Sequence, residues 1–121
     1  MVLDPVSRTV VFANAGHLQP LFIDRTGHQF VDVERGLPLG LSCGDYSETQ
    51  IALSDASRLI FYTDGITEAV NSQEEEYGLS RLVEHAVSPG ASAVTIVEDV
   101  RSFANGSGVR DDASVVFLGV H

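Results

Sequence analysis

Arg58 to Asn71, RLIFYTDGITEAVN, constrains this chain more than any other stretch. Leu59, Ile60, Phe61 and Tyr62 form an apolar run of β-favouring side chains, the pattern of a core strand. Asp64-Gly65 ends that run, and Gly65 is free to take backbone conformations that other residues avoid. Glu68 lies one helical turn beyond Asp64, so both carboxylates can point toward one place. An acidic residue at the end of a buried strand suits a hard divalent cation such as Mg2+ or Mn2+, which prefers carboxylate oxygen and water. An isolated Asp-Gly followed by a solvated Glu is ordinarily only a turn. The rest of the chain decides.

A length of 121 residues fits one domain with a modest core. With 44% hydrophobic and 20% charged residues, the composition is that of a globular chain. Seven Lys and Arg against 17 Asp and Glu give a formal charge of −10, which argues against nucleic acid as a partner. Cys43 is the only cysteine, so no intrachain disulfide can form and a small half-buried residue is the default reading. No apolar run reaches the length of a membrane span and no signal pattern opens the chain, so a cytoplasmic location and no membrane partner are expected. Asn105-Gly106-Ser107 matches a glycosylation sequon but reads as a Gly-rich turn.

Along the chain, Val2–Asp4 and Thr9–Ala13 read as a hairpin closed at Asp4-Pro5. Asn14 to His17 is a tight loop. Leu21–Ile23 is a strand, Asp24 to Gly27 a turn, and Phe30–Val33 the next strand of an antiparallel meander. Gly36 to Gly44, with three glycines and a proline, is a loop or distorted edge. Glu48–Leu53 alternates as a strand with one wet face, and Ser54 to Ser57 turns into the central strand. The Gln73 to Glu76 run is a solvated loop. Leu79, Leu82, Val83, Ala86 and Val87 fall at helical spacing, as do Ala93, Ile96, Val97, Val100 and Phe103 behind Ser92 as N-cap. Ala113–Val120 is a continuous apolar run, read as a central strand. A run of strands, two helices and a last strand make an α+β pattern in a single domain.

Asp64 follows one strongly apolar strand and Asp111-Asp112 precedes another. If these strands are antiparallel neighbours, the end of one adjoins the start of the other and the carboxylates meet at one sheet edge. Gathered carboxylates repel unless a cation or proton intervenes, so a metal site and a surface Asp-Asp turn are the two readings.

The blocks VLDPVSRTVVFANAGHLQPLFI, GLPLGL, TDGITEAVNSQEEEYG and DDASVVFL, in this order, cover nearly all of the chain. In these the chain resembles the bacterial metal-dependent serine/threonine phosphatases of the protein phosphatase 2C superfamily, in the stage II sporulation protein E branch of sigma-factor regulators. The resemblance implies an α-β-β-α sandwich of antiparallel sheets. It implies Asp64 and Asp111 as ligands of one of two Mn2+ or Mg2+ ions. Asp112 and Gly65 would lie behind the ligands, and Glu68 near an additional, looser metal. Asn14, Gly16 and His17 would border the site; a hydrogen-bonded loop histidine is the plainer reading of His17. Arg110 could reach a phosphate, or pair with a nearby Asp. No side-chain nucleophile is implied: the ions would hold and acidify a water that attacks phosphorus in line. The implied substrate is phosphoserine or phosphothreonine on a protein of the anti-sigma-antagonist type.

The match begins partway through the family's domain. The Gly-Asp-type motif whose aspartate bridges both metals has no counterpart here, since Asp4 belongs to an Asp-Pro turn. Residues 1–121 are therefore expected to be the C-terminal portion of one domain, lacking its N-terminal strands and helices, with weak or partial metal binding and little activity alone. Apolar faces and unpaired sheet edges would be exposed, favouring self-association. From a different class, the alternative is a catalytically silent interaction module of the same fold.

Overall fold

The computed structural model describes residues 2–13, 18–31, 48–105 and 113–120. Seven strands and three helices follow in order: β1 (Val2–Asp4), β2 (Thr9–Ala13), β3 (Leu21–Asp24), β4 (Gly27–Phe30), β5 (Glu48–Ala52), β6 (Arg58–Tyr62), α1 (Asp64–Thr67), α2 (Gly78–Ala86), α3 (Ala93–Ala104) and β7 (Val115–Gly119). All strand pairs are antiparallel, in a three-stranded sheet β1-β2-β5 and a four-stranded sheet β4-β3-β6-β7.

Strand alternation sorts the core into two layers. Leu21 and Ile23 of β3 and Ile60 and Tyr62 of β6 join Ile66, Leu82, Ile96 and Val100 in the layer beneath the helices. Phe22 and Leu59, from the opposite pleat, join Val10, Phe12 and Leu53 between the two sheets. Burial on both faces explains why β6 is apolar at consecutive positions. Leu59 and Ile60 are fully buried, each contributing roughly 1.5–3 kcal/mol of transfer free energy. Helices on one sheet and that sheet on a second sheet give three of the four layers of the expected sandwich. Among the described residues nothing covers the outer face of the three-stranded sheet, where Val2 is 68% exposed.

The turns carry their own chemistry. The Asp4 carboxylate accepts from the amides of Val6 and Ser7, closing the β1–β2 hairpin. At the entry to β6 the buried Ser57 hydroxyl accepts from the Ser54 amide at 2.9 Å and meets the Ser54 hydroxyl, so no polar atom there is stranded. Ser92 caps α3 as expected: its hydroxyl accepts from the Thr95 amide, and the Thr95 hydroxyl accepts from the Ser92 amide at 2.8 Å. Ser92→Ala is expected to cost about 1 kcal/mol in urea unfolding, with Ser92→Gly recovering most of it.

The structure corrects several expectations. The strand expected from Phe30 starts earlier, at Gly27, because the Asp24 carboxylate accepts from the Thr26 and Gly27 amides and closes the hairpin on Asp24 and Gly27, and the expected end at Val33 lies outside the described residues. Leu79 and Val87 are exposed, and Tyr77 takes the buried place instead. The helix start expected after the acidic turn is the single-turn α1, which begins at Asp64 itself and precedes the two helices that the periodicity showed. Among the described residues β7, expected at a sheet centre, is the edge of its sheet.

Candidate metal centre

The site is built where β6 ends. β6 and β7 pair antiparallel with Tyr62 opposite Val115, the arrangement on which convergence of the acidic segments depends. One residue further, the Thr63 amide donates to the Ser114 carbonyl at 3.1 Å, and the Ser114 amide donates to the Thr63 hydroxyl at 3.0 Å. Thr63 is the N-cap of α1, yet its hydroxyl makes no capping bond. The hydroxyl instead ties the strand end to the start of β7 and fixes where α1 begins. Sequence reasoning passed over Thr63 and Ser114. Their signal is a hydroxyl residue at each of two strand ends, next to an acidic residue in one case.

α1 is a single turn pinned from below. Ile66 is fully buried and Ala69 nearly so, while Asp64 and Glu68 are exposed at its two ends. The Glu68 amide donates to the Asp64 carbonyl at 2.8 Å, so the two residues stand one turn apart. Gly65 is buried within the helix, so its value here is small size at a helical position and not a left-handed conformation. Beyond α1 the Asn71 side chain accepts from the Gln73 and Glu75 amides, which organises the acidic loop Gln73 to Glu76. The four residues of that loop are exposed, as expected.

The Asp64 carboxylate has no hydrogen-bond or ion-pair partner among the described residues, and neither has that of Glu68. A solvent-facing, uncommitted carboxylate is the donor type that Mg2+ and Mn2+ take, so the chemistry fits the implied metals. Among the described residues no three His, Cys, Asp or Glu side chains gather in one place. Asp111, Asp112, Arg110, Asn14, Gly16 and His17 lie outside the described residues.

A cavity of about 600 Å3 lies elsewhere, between α2 and α3, lined by Tyr77, Arg81, His85 and Asp99 among others. There the Tyr77 hydroxyl donates to Asp99 at 2.5 Å; burial first, then the Asp99 carboxylate, push its pKa well above the ordinary tyrosine value. Tyr77 thus stays a hydrogen-bond donor, and it stacks edge-on against Phe103. This cluster joins two helices.

Two antiparallel sheets face to face, helices over one of them, and an acidic turn at the β6–β7 end define a protein phosphatase 2C fold. The sequence model of the Stage II sporulation protein E (SpoIIE) family matches residues 1–121, and the chain belongs to that family. Its fold is similar to that of the PP2C phosphatase domain and regulatory-domain fragment of Bacillus subtilis SpoIIE (TM-score 0.76, 18% identity). It is similar also to the RsbU and RsbW domains of a Mycobacterium tuberculosis protein (0.75, 23%) and to the SiaA-PP2C domain of Pseudomonas aeruginosa (0.74, 17%). Each match covers 98% of this chain but only 36%, 35% and 49% of the respective structure. Comparison with curated proteins gave no match. No helix among the described residues is long and apolar enough to cross a membrane.

Proposed function

We propose that residues 1–121 are the C-terminal part of a metal-dependent protein serine/threonine phosphatase domain, with Asp64 and Asp111 as ligands of a shared Mn2+ or Mg2+. The observation that carries this reading is the β6–β7 register, closed by the Thr63–Ser114 hydrogen bonds. Asp111 stands three residues before Ser114, a span of at most roughly 11 Å of chain, so a ligand pair with Asp64 is within reach. RsbX solved in complex with magnesium and the SpoIIE phosphatase domain presoaked with Mn share the fold, which supports the choice of ion. When bound, such an ion supplies Lewis acidity toward a phosphoryl group.

The chain's own residues do the rest. Asp64 offers an oxygen donor at a fixed point because Ile66 and the Thr63 clamp hold α1 in place. Gly65 and Asp112 would support the ligands, Glu68 would lie near an additional ion, and Asn14, His17 and Arg110 are assigned to the border of the site. A complete domain of this kind holds two ions, and the residues here would bind one partially. The substrate would be a phosphoserine or phosphothreonine protein of the anti-sigma-antagonist type, in the cytoplasm, and the chain would self-associate through an exposed sheet edge.

The second reading is a silent interaction module of the same fold. Mn2+-dependent hydrolysis of an aryl phosphate by the chain separates the two, with Asp64→Asn and Asp111→Asn as controls. Weak hydrolysis that disappears in both variants supports the phosphatase reading. Hydrolysis that both variants retain overturns the ligand assignment. A folded chain that neither hydrolyses the ester nor binds Mn2+ selects the silent module.

A further inference from the structure

Arg58 opens β6 and Thr63 follows its end, roughly 16 Å of extended chain away. At the Arg58 end lies a cavity of about 540 Å3, a size in the range of small-molecule sites. Its walls come from separate parts of the fold: Arg25 in the β3–β4 turn, Asp55 in the turn before β6, Arg58, Ala91 between α2 and α3, and Phe117 and Val120 at the end of β7. Phe117, Val120 and Ala91 make part of the lining apolar. Arg25 and Arg58 make the rest positive.

The chain has seven basic residues against 17 acidic ones, and two of the seven line this one cavity. Arg58 spends Nη1 on the carbonyls of Ala86 and Ser88, at 2.6 and 2.8 Å, where α2 ends. A guanidinium carries five N–H donors, and only the two on Nη1 are used. Those on Nη2 and Nε have no acceptor among the described residues. The two carbonyls fix the group in place, 6.0 Å from the centre of the Phe117 ring. Arg25 makes no hydrogen bond or ion pair among the described residues, and the Gly90 amide, also on the cavity wall, has no acceptor there. The acids nearby are already engaged. Asp55 pairs with Arg8 at 2.5 Å, and the Asp24 carboxylate accepts from the Thr26 and Gly27 amides of its own turn. Two unpaired guanidinium faces suit a carboxylate or phosphate group, and the apolar lining suits the body that carries it.

We propose that this cavity binds a small organic oxyanion, with Arg25 and Arg58 on the charged group and Phe117 and Val120 against its apolar body. The site stands at the far end of β6 from Asp64 and is independent of the phosphatase reading. Amide NMR titration of the chain with phenyl phosphate and with benzoate tests it, at fixed ionic strength and with EDTA present so that no metal at Asp64 contributes. Inorganic phosphate serves as the bare ion. The expected result is saturable shifts at the Gly90, Ala91 and Gly119 amides with both organic probes, and a Kd for inorganic phosphate weaker by about tenfold or more. Arg25→Gln should weaken phenyl phosphate by about tenfold or more and keep a folded spectrum, because Arg25 is exposed and unpaired among the described residues. Arg101→Gln, at an exposed arginine of α3 that does not line the cavity, should leave the affinity unchanged, as should Asp64→Asn. No saturable shift at these amides up to about 50 mM probe overturns the site. So does binding that Arg25→Gln leaves intact, or that Arg25→Gln and Arg101→Gln weaken equally. Inorganic phosphate binding as tightly as phenyl phosphate overturns the organic ligand and leaves only an ion.

Discussion

Asp64→Asn is expected to lower Mn2+-dependent phosphate ester hydrolysis by about 100-fold or more while leaving the fold intact. Both halves of this expectation follow from the surroundings of Asp64. Its carboxylate is exposed, and no hydrogen bond or ion pair among the described residues depends on it. Replacement by the isosteric amide should change unfolding free energy by less than about 0.5 kcal/mol, as at an ordinary surface position. The amide removes the charge that a hard cation requires. Mn2+ titration followed by paramagnetic resonance should show weaker binding in the variant under conditions where circular dichroism and the melting curve are unchanged. If instead stability falls and Mn2+ affinity stays, Asp64 is a structural turn residue and the ligand assignment is wrong. Asp111→Asn should reproduce the same loss of binding.

Much of this arrangement was legible because particular residues leave little choice. Leu59 to Tyr62 had to be a core strand, and Ser92 was the natural N-cap of the second helix. That β6 and β7 are antiparallel neighbours was conditional in the sequence, and the Tyr62–Val115 register supplies it. The misreadings share one physical origin. An apolar run records that a segment favours burial, and it does not say what lies beside it. Leu79 and Val87 keep helical spacing with the buried Leu82 and Ala86, but they fall at the ends of α2, where the neighbouring layer no longer covers them. Tyr77 was missed because its burial depends on a partner 22 residues away, Asp99, that no local pattern shows. At the site, Asp64 was readable from the strand-turn-helix pattern, whereas the Thr63–Ser114 clamp spans 51 residues and exists only in the folded chain.

The largest stability effect should come from Ile60→Ala. Ile60 is fully buried at the middle of β6, opposite Leu21 on one side and Phe117 on the other. Its side chain belongs to the layer under the helices, in the cluster that contains Ile66, Leu82, Ile96 and Val100. Truncation removes three carbons from a site whose walls come from two strands and the helix layer, so collapse around the cavity is limited. A loss of about 3–4 kcal/mol is expected, within the range for buried Ile→Ala changes. A domain of this size has about 5–15 kcal/mol in total, so the variant keeps a much reduced margin. With a urea slope of about 2 kcal/mol/M, the midpoint should fall by about 1.5–2 M. Ile66 of α1 shares the cavity's cluster, so Mn2+ affinity should weaken too, and Ile60→Val should restore most of both. A midpoint shift below about 0.5 M would mean that the helices do not close over this face of the sheet. The support that fixes Asp64 would then have to come from the Thr63 clamp alone.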